Sequence, residues 1–245
     1  MHLPYWIVIC TLLVGMVLSV KAGKLNVTGA LTGGVLGFVI FLGAGLSGLV
    51  MLGTFFVVGS LATSWRLTDK IAAGLAESNK GRRTASQVMA NAGVAGIVSL
   101  LAWLYPAHAD LFQVMLAASF ASATADTCAS ELGNVYGRYF YNVLTWRSDT
   151  KGLDGVISLE GTVLGFLGSC LIGGIYAIGF GWGLPVVWVL LAGKIGNLVD
   201  SVLGASLERG GYMKNDAVNF LNTLIAALVA LLLYRIYYQD QAALH

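Results

Sequence analysis

Ser122, Asp126, Ser130 and Gly133 recur at spacings of four, four and three residues in an Ala-rich segment, so on an α-helix they form one small polar face carrying a carboxylate. An Asp within a membrane helix costs roughly 2.5 to 3.5 kcal/mol on insertion scales, so a cation, a partner or water has to accompany it. The simpler reading, an Asp at a helix end that only reaches the interface, competes with one in which the small flanking residues admit a ligand. A second segment repeats the theme: Lys194, Gly196, Asn197, Asp200, Ser201 and Gly204 lie in one apolar run, and Gly196, Asn197, Asp200 and Gly204 share a face. Asp126 and Asp200 are therefore expected to meet. Two carboxylates converging from different helices, with hydroxyl and amide oxygens beside them, suit a hard cation such as Mg²⁺ that keeps waters and bridges to phosphates. A buried pair of Asp with Lys194 is the structural rival.

Three further groups bear polar chemistry. Arg83, Gln87 and Asn91 are spaced by four. Asn215, Asn219 and Asn222 are spaced by four and three, with Asp216 beside them. The segment from Arg138 to Gly161 contains Lys151 and Leu159-Glu160-Gly161-Thr162. Cationic side chains and helix N-termini hold phosphate oxygens, and Lys80, Arg82, Arg83 and Lys151 are the candidates, each equally readable as a topology determinant at the membrane surface.

The elements that must position these groups are membrane helices. Of 245 residues 57% are hydrophobic and 11% charged, where a soluble domain carries charge on about a quarter, and the mean hydropathy is +0.79. Spans are expected near 5–21, 27–44, 47–64, 87–105, 110–130, 156–179, 184–204 and 216–235, with the second and third least clearly separated. The fold class is thus all-α, a polytopic bundle of about eight helices forming a single integral membrane domain over 1–245. The first run lacks a preceding positive region and a cleavage site, so it is expected to stay as a helix. Lys and Arg follow the first, third, fifth and seventh spans, whereas 43–48, 106–109 and 180–184 carry none. The positive-inside rule then turns both termini outward and the charged loops toward the cytoplasm, as in a bacterial inner-membrane protein.

Other signals carry less. Gly29, Gly33 and Gly37 recur every four residues among 32 glycines, a small-residue face for close packing within the chain or in a homodimer. Gly43, Gly45 and Gly48 spell GxGxxG without a preceding strand, and no GxxxxGK[ST] occurs, so a nucleotide needs some device other than a Rossmann or P-loop. Cys10, Cys128 and Cys170 share no metal-ligand spacing and His2, His108 and His245 are scattered, so neither disulfides nor a zinc site is expected. The net charge of +2 does not suggest a nucleic-acid partner.

Under this topology Arg83, Asp126, Glu160, Asp200 and Asp216 all fall at cytoplasmic helix ends. A polar cavity there, open to the cytosol and flanked by lipid, suits a reaction between a water-soluble phosphate donor and a membrane-anchored acceptor.

Asp126-Thr-Cys-Ala-Ser130-Glu-Leu-Gly133 followed by Gly137, Lys151 and Glu160-Gly161-Thr162 resembles the pattern of the CTP-using membrane enzymes dolichol kinase and phytol kinase and, more distantly, CDP-diacylglycerol synthase. The chain most resembles the phytyl-phosphate kinase group. That group also carries R-x-x-x-Q-V-x-A-N, matched by Arg83 to Asn91, D-S-x-x-G, matched by Asp200 to Gly204, and N-D-x-x-N, matched by Asn215 to Asn219. The likeness spans about 63–225. It departs at Glu208, where members often have Gln, and across 138–154. It implies phosphoryl transfer from CTP to a phytyl or other polyisoprenyl monophosphate, with Asp126 and Asp200 holding Mg²⁺ and Lys151, Arg83 and Lys80 neutralising phosphates. Glu160 would orient the Lys or a metal-bound water. Gln87, Asn91, Ser130, Lys194, Asn197, Ser201, Asn215, Asp216 and Asn219 would line the cavity. Cytidylyl transfer to a lipid phosphate needs the same groups, and a small-solute transporter is the non-enzyme alternative, although transport predicts polar residues near the midplane.

Overall fold

A computed structural model describes residues 4–76 and 81–242, with the backbone alone over 239–242. Its helices are α1 (Tyr5–Lys21), α2 (Val27–Ser64), α3 (Leu67–Ala72), α4 (Ala85–Leu104), α5 (Ala109–Tyr136), α6 (Leu159–Phe180), α7 (Leu184–Leu203) and α8 (Asn215–Ala242). The chain is an all-α membrane bundle. Five helices, α2, α4, α6, α8 and α7 with its π-helical extension to Glu208, are long and apolar enough to cross a membrane, and α1 is a shorter apolar helix.

The second and third expected spans appear as one element, α2, because the turn between them is very tight. As a straight rod its 38 residues would measure about 57 Å, against a hydrocarbon core of roughly 30 Å. Gly45 breaks the rod with φ 60° and ψ −149°, a conformation open to glycine. The two halves then run back along each other. The place of a Cβ on Gly37 lies 3.4 Å from the Leu52 side chain, and Gly29 and Gly59, thirty residues apart, both abut Arg83.

Helix α5 is not among the lipid-compatible helices, because it does not face lipid. It occupies the centre, packed by α2, α4, α6, α7 and α8, and Leu116, Ala117, Ala118, Phe120, Ala121 and Ala123 are wholly buried. A helix enclosed by protein can be rich in Ala, Ser and Thr, whose small side chains let neighbours approach. On α6, Gly161 and Gly165 sit where a Cβ would come 2.7 Å from the carbonyl oxygens of Ala129 and Ala125. These glycines serve packing within the chain.

The charged loops gather at one end of the bundle. Asn26 donates its backbone N–H to the Arg83 carbonyl (3.0 Å), Arg83 donates to that of Lys24 (2.9 Å), and Trp65 Nε1–H donates to the Tyr136 hydroxyl (2.8 Å). The segment between α5 and α6 forms a small antiparallel pair, β1 (Tyr141–Asn142) with β2 (Val156–Ile157), that sequence periodicity did not announce.

At the opposite end α2 and α4 cross so closely that a Cβ on Gly43 would collide with the Ser99 carbonyl oxygen. Gly43→Ala is expected to lower stability by about 1 to 3 kcal/mol, the usual cost of overpacking. Gly174→Ala, where the added methyl meets open space, should change it by less than about 0.5 kcal/mol. Thermal unfolding in detergent measures both.

Candidate functional site

Asp126 of α5 and Asp200 of α7 meet at the charged end of the bundle, their carboxyl groups within hydrogen-bonding range of each other. Small residues make this approach possible: Gly193 and Gly196 of α7 abut Ala121 and Ser122 of α5. Asn222 of α8 fixes the pair from the third side. It is wholly buried, donates Nδ2–H to Asp200 Oδ1 at 2.7 Å and accepts the Ser122 hydroxyl at 3.1 Å. The expected helical faces are therefore joined, and the amide stripe of α8 supplies the link.

The pair opens into a cavity of about 180 Å³ whose wall also includes Ser130, Lys194, Asn197, Ser201, Asn215 and Asn219. A smaller cavity of about 80 Å³ lies beside it, lined by Arg83, Gln87 and Asn91. Asp126, Ser130, Asn215 and Asn219 line both, so the two are lobes of one polar chamber. All five motif groups thus contribute to its wall.

Several side chains are already engaged. Gln87 completes a capping box with Thr84, its Oε1 accepting the Thr84 N–H at 3.0 Å. Asn91 donates to the Gln87 carbonyl (3.0 Å), Ser130 to that of Asp126 (2.9 Å) and Ser201 to that of Asn197 (3.3 Å). Asn219 donates to Asn215 across one helical turn. Arg83 places its guanidinium 5.1 Å above the Phe55 ring.

The remaining predicted residues sit elsewhere. Lys151 stands at the rim, its Nζ 5.7 Å from the centroid of Phe140, which lines the cavity. Glu160 turns to the Arg138 backbone N–H (3.4 Å) while its neighbours Gly161 and Thr162 form the wall, so it anchors the loop rather than orienting Lys151. Asp216 accepts a hydrogen bond from Ser86 and ties α8 to α4 outside both lobes. Lys80 lies outside the described residues.

Three acidic residues had no place in the sequence-derived site. Asp154 and Glu208 line the larger lobe. Asp154 lies in a turn between Gly152 (φ 83°) and Gly155 (φ 70°), and burial pushes its carboxyl above the ordinary range, against the pull of Arg209. The signal was the Gly-x-Asp-Gly spacing after Lys151. Arg209 clamps this loop to the end of α7: Nε donates to the Asp154 carbonyl (2.6 Å) and Nη1 to Asp149 (2.8 Å), which holds the Asp149 carboxyl below its usual range. Glu131, in the smaller lobe, accepts from Lys70 Nζ at 2.6 Å, and Lys70 also donates to the carbonyls of Ala62 and Thr63 (3.1 and 2.7 Å). Lys70 is 3% exposed and Glu131 18%. This pair ties the end of α2 to α5.

The donor set fits a hard divalent cation. Among the described residues neither Asp126 nor Asp200 forms an ion pair, so two carboxylates face each other without a protein counter-charge, Lys194 included. No three His, Cys, Asp or Glu side chains among them converge as a closed cage would require. Two carboxylates facing a polar cavity could hold a hard cation that keeps part of its water shell, as Mg²⁺ does.

Residues 9–227 match a family model described as "Integral membrane protein DUF92". The chain is 32% identical over 239 residues to "Protein VTE6, chloroplastic" of Arabidopsis thaliana, covering 92% of this chain and 71% of that one. It is also 32% identical to an uncharacterized membrane protein of Methanocaldococcus jannaschii, over 93% of this chain and 92% of the relative. Protein PGR of Arabidopsis thaliana is 23% identical over 74% of this chain and 73% of its own. No solved structure matches significantly.

Breaking the Lys70–Glu131 pair from one side leaves a buried charge without a partner, so Lys70→Met is expected to cost about 3 kcal/mol. Lys70→Met with Glu131→Leu should recover most of that loss. A double-mutant cycle by thermal or denaturant unfolding measures the coupling.

Proposed function

The chain belongs to the DUF92 family of integral membrane proteins, and on that premise we propose that it is a Mg²⁺-dependent kinase that uses CTP to phosphorylate a phytyl or other polyisoprenyl monophosphate. The observation that carries this reading is the Asp126–Asp200 contact: two carboxylates that form no ion pair among the described residues, in a polar chamber at the end of an otherwise apolar bundle. The motif resemblance to the phytyl-phosphate kinase group and the 32% identity to Protein VTE6, chloroplastic support the acceptor class. The chamber opens to the cytoplasm in this reading, because the Lys- and Arg-bearing loops surround it.

Phosphoryl transfer requires mainly positioning and charge neutralisation from the protein. An oxygen of the acceptor phosphate attacks the γ-phosphorus of CTP, the bond to the β-phosphate oxygen breaks, and CDP departs with that electron pair. The acceptor oxygen is already anionic, so no strong base is demanded. Asp126 and Asp200 would hold a Mg²⁺ ion, which would supply charge neutralisation to the triphosphate. Arg83 receives the acceptor phosphate in the smaller lobe, and Lys151 meets the nucleotide phosphates at the rim. Asn197, Asn215 and Asn219 offer amide contacts across the larger lobe, with Ser130, Ser201 and Lys194 beside them. Glu160 acts as a positioning residue through the Arg138 backbone, and the Arg209 clamp keeps Asp154 and the loop over the site.

Asp126→Asn and Asp200→Asn are each expected to reduce Mg²⁺-dependent CTP consumption by the detergent-purified protein at least a hundredfold, at unchanged melting temperature. Turnover at the wild-type rate in both would remove the metal site. Mass spectrometry of products identifies the reaction: CDP with a prenyl diphosphate marks the kinase, and inorganic diphosphate with a CDP-lipid marks cytidylyl transfer.

A further inference from the structure

A third cavity, of about 280 Å³, runs between α1, the two halves of α2 and the start of α4. Its wall is apolar: Leu12, Leu52 and Phe55 line it, and Gly15 and Gly53 leave it wide. Among the described residues the single charged side chain in this wall is Arg83, which also lines the smaller polar lobe beside Asp126. The groove and the chamber therefore share one guanidinium at their junction. From Leu12 to Ser19 on α1 the wall extends seven residues, about 10 Å along the helix axis, from mid-bundle toward the charged end.

We infer that this groove holds the isoprenoid chain of the acceptor, with Arg83 at its neck receiving the phosphate; this rests on the lipid-phosphate reading above. The argument is one of continuity. A ligand filling both spaces is apolar along its length and anionic at one end, and it meets the Arg83 guanidinium where the two spaces join. Stacking on Phe55 keeps the guanidinium at that junction, because the same ring lines the groove. A single groove suits a single-chain lipid, whereas a diacyl phosphatidate would leave one chain outside.

Gly15 and Gly53 make the inference testable, since nothing lies within 4 Å of a Cβ built on either. Gly15→Leu and Gly53→Leu fill the groove without meeting packed neighbours. Gly174 of α6 has equally open surroundings and supplies the same chemical change away from the groove. The measurement is equilibrium binding of radiolabelled geranylgeranyl phosphate and of dimethylallyl phosphate to the full chain in detergent. The ratio of the two dissociation constants is independent of any misfolded fraction. Both groove variants should shrink the preference for the longer chain by about tenfold, and Gly174→Leu should preserve it. Unchanged preference in both groove variants overturns the inference, as does competition by dioleoyl phosphatidate equal to that of geranylgeranyl phosphate. Binding that follows the expected pattern without any turnover of CTP would support the groove and overturn the kinase reading instead.

Discussion

Two carboxylates held against each other between α5 and α7 constrain most of this molecule. An ionised side chain at membrane depth is tolerated where protein, water or a counter-ion surrounds it, so Asp126 has to sit on a helix that lipid never touches. That requirement explains why α5 is central, why it is built from Ala, Ser and Thr, and why every long helix except α1 packs against it. It also explains the glycines of α6 and α7. Gly165, Gly193 and Gly196 bring the neighbouring backbones close enough for short side chains to fill the space. Asn222 then spends its amide on Asp200 and its carbonyl on Ser122, satisfying buried polar groups on three helices with one residue.

The other charges divide into those that face the chamber and those that hold it. Lys70 is consumed by Glu131 and two carbonyls at the end of α2, and Arg209 by the loop that carries Asp154. Both fix the mouth of the site from its periphery. Arg83 and Lys151 each also place their charge near an aromatic ring, Phe55 and Phe140. A cation over a ring face is attracted by about 0.5 to 2 kcal/mol, which helps to hold each group in place.

Much of this arrangement was legible in the sequence because the relevant signals were periodic. The spacing of Ser122, Asp126, Ser130 and Gly133 gave a face, the spacing from Gly196 to Gly204 gave another, and the alternation of charged and uncharged loops put both at one end. What stayed hidden was decided by contacts without a period. Glu160 and Arg83 both begin polar stripes, yet Glu160 turns to a backbone N–H and Arg83 to a ring. Asp216 follows Asn215 directly, and that one-residue step, about 100° around the helix, carries it out of the chamber to Ser86. Asp154 enters because a loop with no helical repeat folds back over α7, and Glu208 lies in the π-helical extension of α7, outside the α-helical repeat. The Gly45 break was ambiguous for a related reason: a turn made by one residue leaves no polar stretch in the hydropathy of α2.

The position of Arg83 joins these points into one functional argument. Its backbone forms a bridge with the segment after α1, since Arg83 N–H donates to Lys24 and the Arg83 carbonyl accepts from Asn26. Its guanidinium stands between an apolar groove and a polar lobe. Helix α1 is the most peripheral of the long helices, packing chiefly on α2, and it walls the groove without touching the carboxylates. A bundle whose only task was to enclose Asp126 and Asp200 would have no use for it. If the site must also take a substrate out of the bilayer, a helix that closes one side of a lipid groove and is tied by backbone hydrogen bonds to the cation at its neck has a physical reason to be there.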